Sequence, residues 1–134
     1  MVQFLLLFDN WALLILRVVL GLILLIHGWP KIKDLKATSQ SFSAMGFKPA
    51  MFWGTIVALV EFLGGLALIG GLLVQVVAFL VAIQFIIIIL KMKRSKGLVG
   101  GYEFDLLIIA ASLILFTIGG GAFGLDNILG IILY

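Results

Sequence analysis

The chain carries no cysteine. Disulfide frameworks, CxxC redox pairs, iron–sulfur ligation and thiol nucleophiles are therefore excluded. It has one histidine, His27, a poor basis for a metal or haem site, since such sites draw on several N, S or O ligands. No metal is expected. Charge is scarce too: charged residues are 11% of the 134, against about 25% in an ordinary soluble domain. Hydrophobic residues make up 64%, and the mean hydropathy is +1.35. A domain this small leaves much of its surface facing water. The composition thus excludes a soluble enzyme, a nucleic-acid-binding domain and a disordered tail. The net charge of +3 does not bring nucleic acid back, because the basic residues sit at the ends of apolar runs. What remains is an integral membrane protein.

What is abundant is long apolar sequence. A hydrocarbon core about 30 Å thick takes roughly 20 residues of helix. Four stretches meet that length, at about 11–29, 50–70, 72–90 and 106–125. They predict a single all-α transmembrane domain over residues 1–134, a four-helix bundle. Residues 1–8 are too short to span and lack the features of a secretory signal. They read as an interfacial lead-in, with Asp9 and Asn10 capping the first span. Residues 128–134 read as a tail on the membrane surface or against a neighbour.

Lys31, Lys33, Lys36 and Lys48 fall in the first connection, and Lys91, Lys93, Arg94 and Lys96 in the third. The opposite side carries Asp9, Asp126 and a tight Gly70-Gly71 turn instead. Basic residues in short loops stay cytoplasmic. A multi-pass protein of the cell membrane is expected, with loops 30–49 and 91–101 in the cytoplasm and both termini outside. Pro30 is expected to interrupt the first helix. Residues 39–47 then read either as a short amphipathic helix on an anionic leaflet or as a solvated loop.

Ionisable groups inside a span are costly, so their positions are informative. At about 100° per residue, Arg17, Gly21, Leu24, Gly28 and Lys31 share one stripe of the first helix. Gly54, Glu61, Gly65 and Leu68 share one on the second. Glycine stripes let helices approach closely in lipid, so Arg17 and Glu61 are expected to face other helices. Arg17 lies roughly 9 Å deep from one side and Glu61 roughly 15 Å, within reach of an ion pair. His27 and Lys31 close the first helix on the lysine side, where Glu103 and Asp105 open the fourth. A stripe of Glu103, Ala110, Ile114, Thr117 and Gly121 is expected to carry Glu103 toward His27. Read as chemistry, His27 with Glu61 or Glu103 forms a proton relay. Phe42, Phe47, Phe52, Trp53 and Phe104 form an aromatic wall for a quinone ring. Read as structure, Arg17, Glu61 and Lys31 fix helix register by ion pairing, and the phenylalanines anchor the interface. Gln84, about six residues before the inner end of the third helix, points to the zone of His27, Lys31 and Glu103, though with Gln75 it is a weak signal of anything.

In order, the pieces RVVLGLILLIHGWPKI, VEFLGGLALIGGLL, GGYEFDLL and GGGAFGLD, with Phe42, Gly46 and Pro49 between the first two, resemble the DoxX family of small four-helix membrane proteins. The resemblance runs from about Arg17 to Asp126. It implies a four-helix bundle, often a small subunit beside other proteins. It also implies a link with membrane redox, including a thiosulfate:quinone oxidoreductase and archaeal terminal quinol oxidases. Arg17, His27, Lys31, Glu61 and Glu103 match the family pattern. The third helix departs from some relatives, ending IIIILKMKR with no histidine or acid.

The leading expectation is a small integral membrane subunit of a redox or respiratory complex, with quinone as its cofactor or substrate. Its partners would be membrane lipid and other subunits or copies of itself. A structural or assembly subunit without chemistry, and a transporter of a small solute or proton, are the alternatives.

Overall fold

The computed structural model of the chain describes residues 2–131. Met1 and the end of the expected surface tail, residues 132–134, lie outside it. Every regular element among the described residues is helical. A short α1 (Val2–Leu5) and a 3-10 turn (Leu6–Phe8) lead without a break into α2 (Asp9–Lys33). There follow α3 (Leu35–Ala44), α4 (Ala50–Gly70), α5 (Val74–Ile88), α6 (Glu103–Ile118) and a short α7 (Leu125–Leu129). Four helical runs are long and apolar enough to cross a membrane.

The helix boundaries differ from the sequence expectation in four places. Asp9 and Asn10 do not cap the first span, because the helix is already running when it reaches them. The Asn10 amide oxygen instead accepts from the Ala122 N–H at 2.8 Å, tying this helix to the loop after α6. Pro30 does not end α2, which continues to Lys33, the Asp34 N–H donating to the Pro30 carbonyl at 3.2 Å. A proline removes one helix hydrogen bond, a tolerable loss within a single turn of the helix end. That extra turn keeps Lys31 on the helix. Residues 35–44 are helical, started by the Asp34 carboxylate accepting from the Ala37 N–H at 2.9 Å. This helix buries Thr38 and Phe42 against α4. Finally, the last span is displaced toward the N-terminus: α6 starts at Glu103 and stops at Ile118. Gly119 and Gly121 take φ of +87° and +81°, a left-handed turn that halts the helix.

The helices alternate in direction, with α2 packed most closely on α4 and α5 on α6. Glycines set the first contact. A Cβ on Gly21 would lie 2.7 Å from the Gly65 carbonyl, and one on Gly28 would lie 2.5 Å from the Phe62 backbone nitrogen. Only hydrogen fits at either place, the close approach that small residues permit in lipid. The apolar core runs through Leu20, Leu24, Leu68, Val81 and Leu115. Outward faces carry Ile15, Leu22, Ile26, Leu63 and Leu107, the surface that acyl chains require. Contact between α4 and α5 is looser, and a cleft opens between them.

The two ends of the bundle differ in chemistry. At one end the segments after α3 and α5 meet, the Lys91 ammonium lying 5.0 Å over the Phe47 ring. The other end is built from glycines, Asp126 and Arg17. The Asp126 carboxylate accepts from the Leu73 and Val74 N–H groups at 2.6 and 2.9 Å, capping α5 from a distant part of the chain.

Candidate functional site

Glu61 stands in the middle of α4, on the face turned to α2 and α5, and is 1% exposed. A bare carboxylate there would cost about 2.5–3.5 kcal/mol on insertion scales. Two neighbours hold it. Lys31 at the last turn of α2 donates to Oε2 at 2.6 Å, and Gln84 of α5 donates to Oε1 at 2.9 Å. The carboxylate side chain is 2% exposed and the lysine side chain 31%, so a dry anion meets a cation still touching solvent. An ionised carboxylate only accepts hydrogen bonds, which fixes the Gln84 amide with its NH2 toward Glu61. Its carbonyl oxygen is left free to accept from elsewhere.

Gln84 also forms part of the wall of the cleft between α4 and α5, a cavity of about 620 Å³. Phe42, Phe47, Trp53, Ile83 and Ile87 make most of the surface apolar, and Lys48 and Lys91 belong to it as well. Phe42 and Phe47 stack at 5.1 Å. The Trp53 indole N–H donates to the Lys48 carbonyl at 3.3 Å, fixing the ring on the loop before α4. An apolar cavity with one or two polar groups is the usual form of a small-molecule site.

The expected Arg17–Glu61 pair does not form. Gly28, not Arg17, is the α2 residue set against Glu61, and Arg17 lies three turns away, roughly 16 Å along the axis. Arg17, 1% exposed, turns toward the glycine end. Its guanidinium donates to the Gly120 carbonyl at 2.9 Å and the Phe123 carbonyl at 3.3 Å. Gly71, Gly120 and Gly124 surround it so closely that a Cβ on any of them would lie within 3.2 Å of its Nη1.

His27 and Glu103 are both exposed and are not hydrogen-bonded to each other. His27 stacks loosely on Phe104 at 6.2 Å, and Glu103 accepts from the Gly100 N–H at 3.2 Å. Asp105 is the acid that α6 buries, paired with Lys93 at 2.8 Å. Two residues are about 200° on a helix, so one of this acidic pair must point away when the other points in. The true inward stripe is Asp105, Ile108, Ser112 and Leu115. That i, i+3, i+7, i+10 spacing is legible in the sequence; Glu103 was the wrong choice of face. Of the five aromatics, Phe42, Phe47 and Trp53 reach the cleft. Phe52 instead packs on Trp53 and Phe104 on His27. Gln84, a weak signal in the sequence, proves central to the geometry.

The sequence model of the DoxX family matches residues 12–94, which include Arg17, Lys31, Glu61 and Gln84. The chain belongs to the DoxX family. Among relatives, the Bacillus subtilis (strain 168) protein named "Putative oxidoreductase CatD" is 32% identical over 113 residues, 84% of this chain and 83% of its own. The Escherichia coli (strain K12) "Inner membrane protein YqjF" is 30% identical over 125 residues, 90% of this chain and 94% of its own. No solved structure matches. This DoxX protein is a multi-pass membrane protein of four spanning helices.

One consequence concerns Gly28, whose lack of a Cβ lets α2 sit directly on the Glu61 backbone. Gly28→Ala is expected to push α2 outward, at about 1–3 kcal/mol as for overpacked cores. It should also lengthen the Lys31–Glu61 contact. Unfolding in mixed detergent micelles reads the first effect, and the loss of coupling between Lys31 and Glu61 in a double-mutant cycle the second.

Proposed function

We propose that this chain is a small integral membrane subunit of a redox complex, and that the cleft between α4 and α5 is its quinone site. The observation that carries the reading is the joining of an apolar, ring-lined cavity to a buried carboxylate through Gln84. An isoprenoid quinone wants a slot for its ring and tail and very few polar contacts. The cleft offers Phe42, Phe47 and Trp53 as walls and the Gln84 amide oxygen as an acceptor for a ring hydroxyl. A bound quinone supplies reversible uptake of electrons and protons. The chain itself brings one histidine and no cysteine. Among the described residues no three His, Asp or Glu side chains gather. In this reading the electrons come from a redox-active partner subunit, and this chain positions the ring and handles protons at Glu61. The name of the Bacillus relative, an oxidoreductase, is in keeping with this role. Arg17 has no share in it, since its partners are backbone carbonyls at the glycine end.

With the lysine end in the cytoplasm and both termini outside, the cleft opens in the cytoplasmic half of the cell membrane and Glu61 lies at its inner end, near the middle of α4. The test is purification in mild detergent, followed by quinone extraction and mass spectrometry of co-migrating chains. The native protein is expected to retain quinone and at least one partner. Gln84→Leu should retain about tenfold less of the reduced quinol, whose ring hydroxyl loses its acceptor, the effect of one hydrogen bond in a dry site. Retention of neither quinone nor partner by the native protein would count against the reading.

A further inference from the structure

The carboxylate of Glu61 lies between two cavities. Beside the apolar cleft, a second crevice of about 300 Å³ opens beneath α3. It is bordered by Lys31, Asp34, Ala37, Thr38 and Ser41 as well as apolar side chains. Lys31, Asp34, Thr38 and Ser41 set polar groups into a lining that is otherwise apolar, enough for water, which needs two or more polar partners. Lys31 belongs to this crevice, Gln84 belongs to the cleft, and Glu61 bonds to both residues. The row Lys31–Glu61–Gln84 therefore crosses the wall between a crevice bordered by charged groups and a more apolar cleft.

We propose that the crevice under α3 is the water-filled inlet for protons to Glu61, with Lys31 as the residue that passes them on. This rests on the quinone reading only for the fate of the proton, since the inlet itself stands on the two cavities. In the transfer, an N–H bond of the Lys31 ammonium breaks as an O–H bond forms on Glu61 Oε2. At 2.6 Å the contact is direct and slightly shorter than the usual charge-assisted N–H···O bond, so no intervening water is needed. A hydronium in the crevice then restores the N–H bond and leaves water. No electron moves. The other charged groups near the row are few. Asp34, on the crevice, attracts cations toward its mouth. Lys48 and Lys91 lie on the cleft side. Asp105 of α6 is already paired with Lys93, and His27 of α2 makes no hydrogen bond to the row. Gln84 has no proton to give at ordinary pH and acts as a positioning residue. Its amide holds Oε1 so that Oε2 faces Lys31.

The experiment is time-resolved infrared spectroscopy of the protonated-carboxyl band in vesicles, after an acid jump on one side at a time. The Glu61 band is assigned as the one lost in Glu61→Gln. In the native protein it should rise quickly after acid is added on the side of α3 and slowly after acid on the other. Ala37→Phe, which narrows the crevice from an exposed position on α3, should slow the rise at least about tenfold. That corresponds to about 1.4 kcal/mol of added barrier. The final band height should not change. Equal rates from both sides, an unchanged rate in Ala37→Phe, or no Glu61 band at any pH would overturn the inlet.

Because the chain has no cysteine, a second measurement is clean. Lys31→Cys, made together with Glu61→Gln so that no buried charge is orphaned, should react with a charged thiosulfonate reagent from the α3 side only. An unreactive thiol there would also overturn the proposal. Quenching of tryptophan fluorescence by decylubiquinone separates the two ideas. Sided protonation without quenching would sink the quinone site and leave the inlet, and quenching without sided protonation would do the reverse.

Discussion

Lys31→Met alone should destabilise the protein by about 3–5 kcal/mol, the usual cost of orphaning one member of a buried ion pair. The asymmetry of the pair sets the size. Glu61 is 2% exposed at its side chain and retains only Gln84 when the lysine is gone. The backbone at Glu61 cannot shift to carry the carboxylate out, because α2 lies against it at Gly28 with no room for even a Cβ. The double variant Lys31→Met with Glu61→Gln should recover most of the loss. A neutral amide needs no counter-ion, and well-packed apolar replacements of buried pairs are often neutral. The two changes are in contact and must be far from additive. Equilibrium unfolding in mixed micelles across the four members of the cycle measures the coupling. Additive losses would mean that the pair is not a unit.

Arg17→Ala should be comparably severe, at about 3–5 kcal/mol, for a different reason. Two charge-assisted hydrogen bonds to the Gly120 and Phe123 carbonyls are lost, each worth about 1.5–3 kcal/mol. A void also opens among Gly71, Gly120 and Gly124, which close on the guanidinium. The carbonyls belong to the loop that ends α6, and in lipid a backbone group without a partner is expensive. The glycine end should therefore loosen while the lysine end persists. Hydrogen exchange is expected to rise in residues 119–126 and not around Glu61. The affinity of the cleft for decylubiquinone should stay within about twofold, since Arg17 lies roughly 16 Å from the level of Glu61. These two variants separate the residue that fixes the fold from the residue placed at the site.

Much of this was legible from the residues themselves. The four apolar runs gave the bundle, and the glycine stripes put Arg17 and Glu61 on inward faces, where both are found buried. The pairing was less legible, because depth along two helices says nothing of their relative register. That register is set by Gly21 against Gly65 and Gly28 against the Glu61 backbone, contacts that only a packed structure displays. Lys31 was already on the right stripe, but Pro30 argued for a helix that stops before it. The α3 helix was ambiguous since its buried face is small, no more than Thr38 and Phe42. Gln84 was legible only as a polar residue at the depth of the lysine-side group, with no partner named. A lone amide in an apolar helix becomes informative only once a carboxylate from another helix is seen to meet it.

The central claim is that the cleft beside Gln84 and Glu61 binds a quinone ring, and photo-crosslinking with an azido-quinone in native membranes tests it most directly. Mass spectrometry should place the crosslinks on residues 42–60 and 80–91, the two segments that wall the cleft. An excess of unlabelled decylubiquinone should suppress them. Crosslinks spread over the outward faces of α2 and α6, with no competition by unlabelled quinone, would contradict the account.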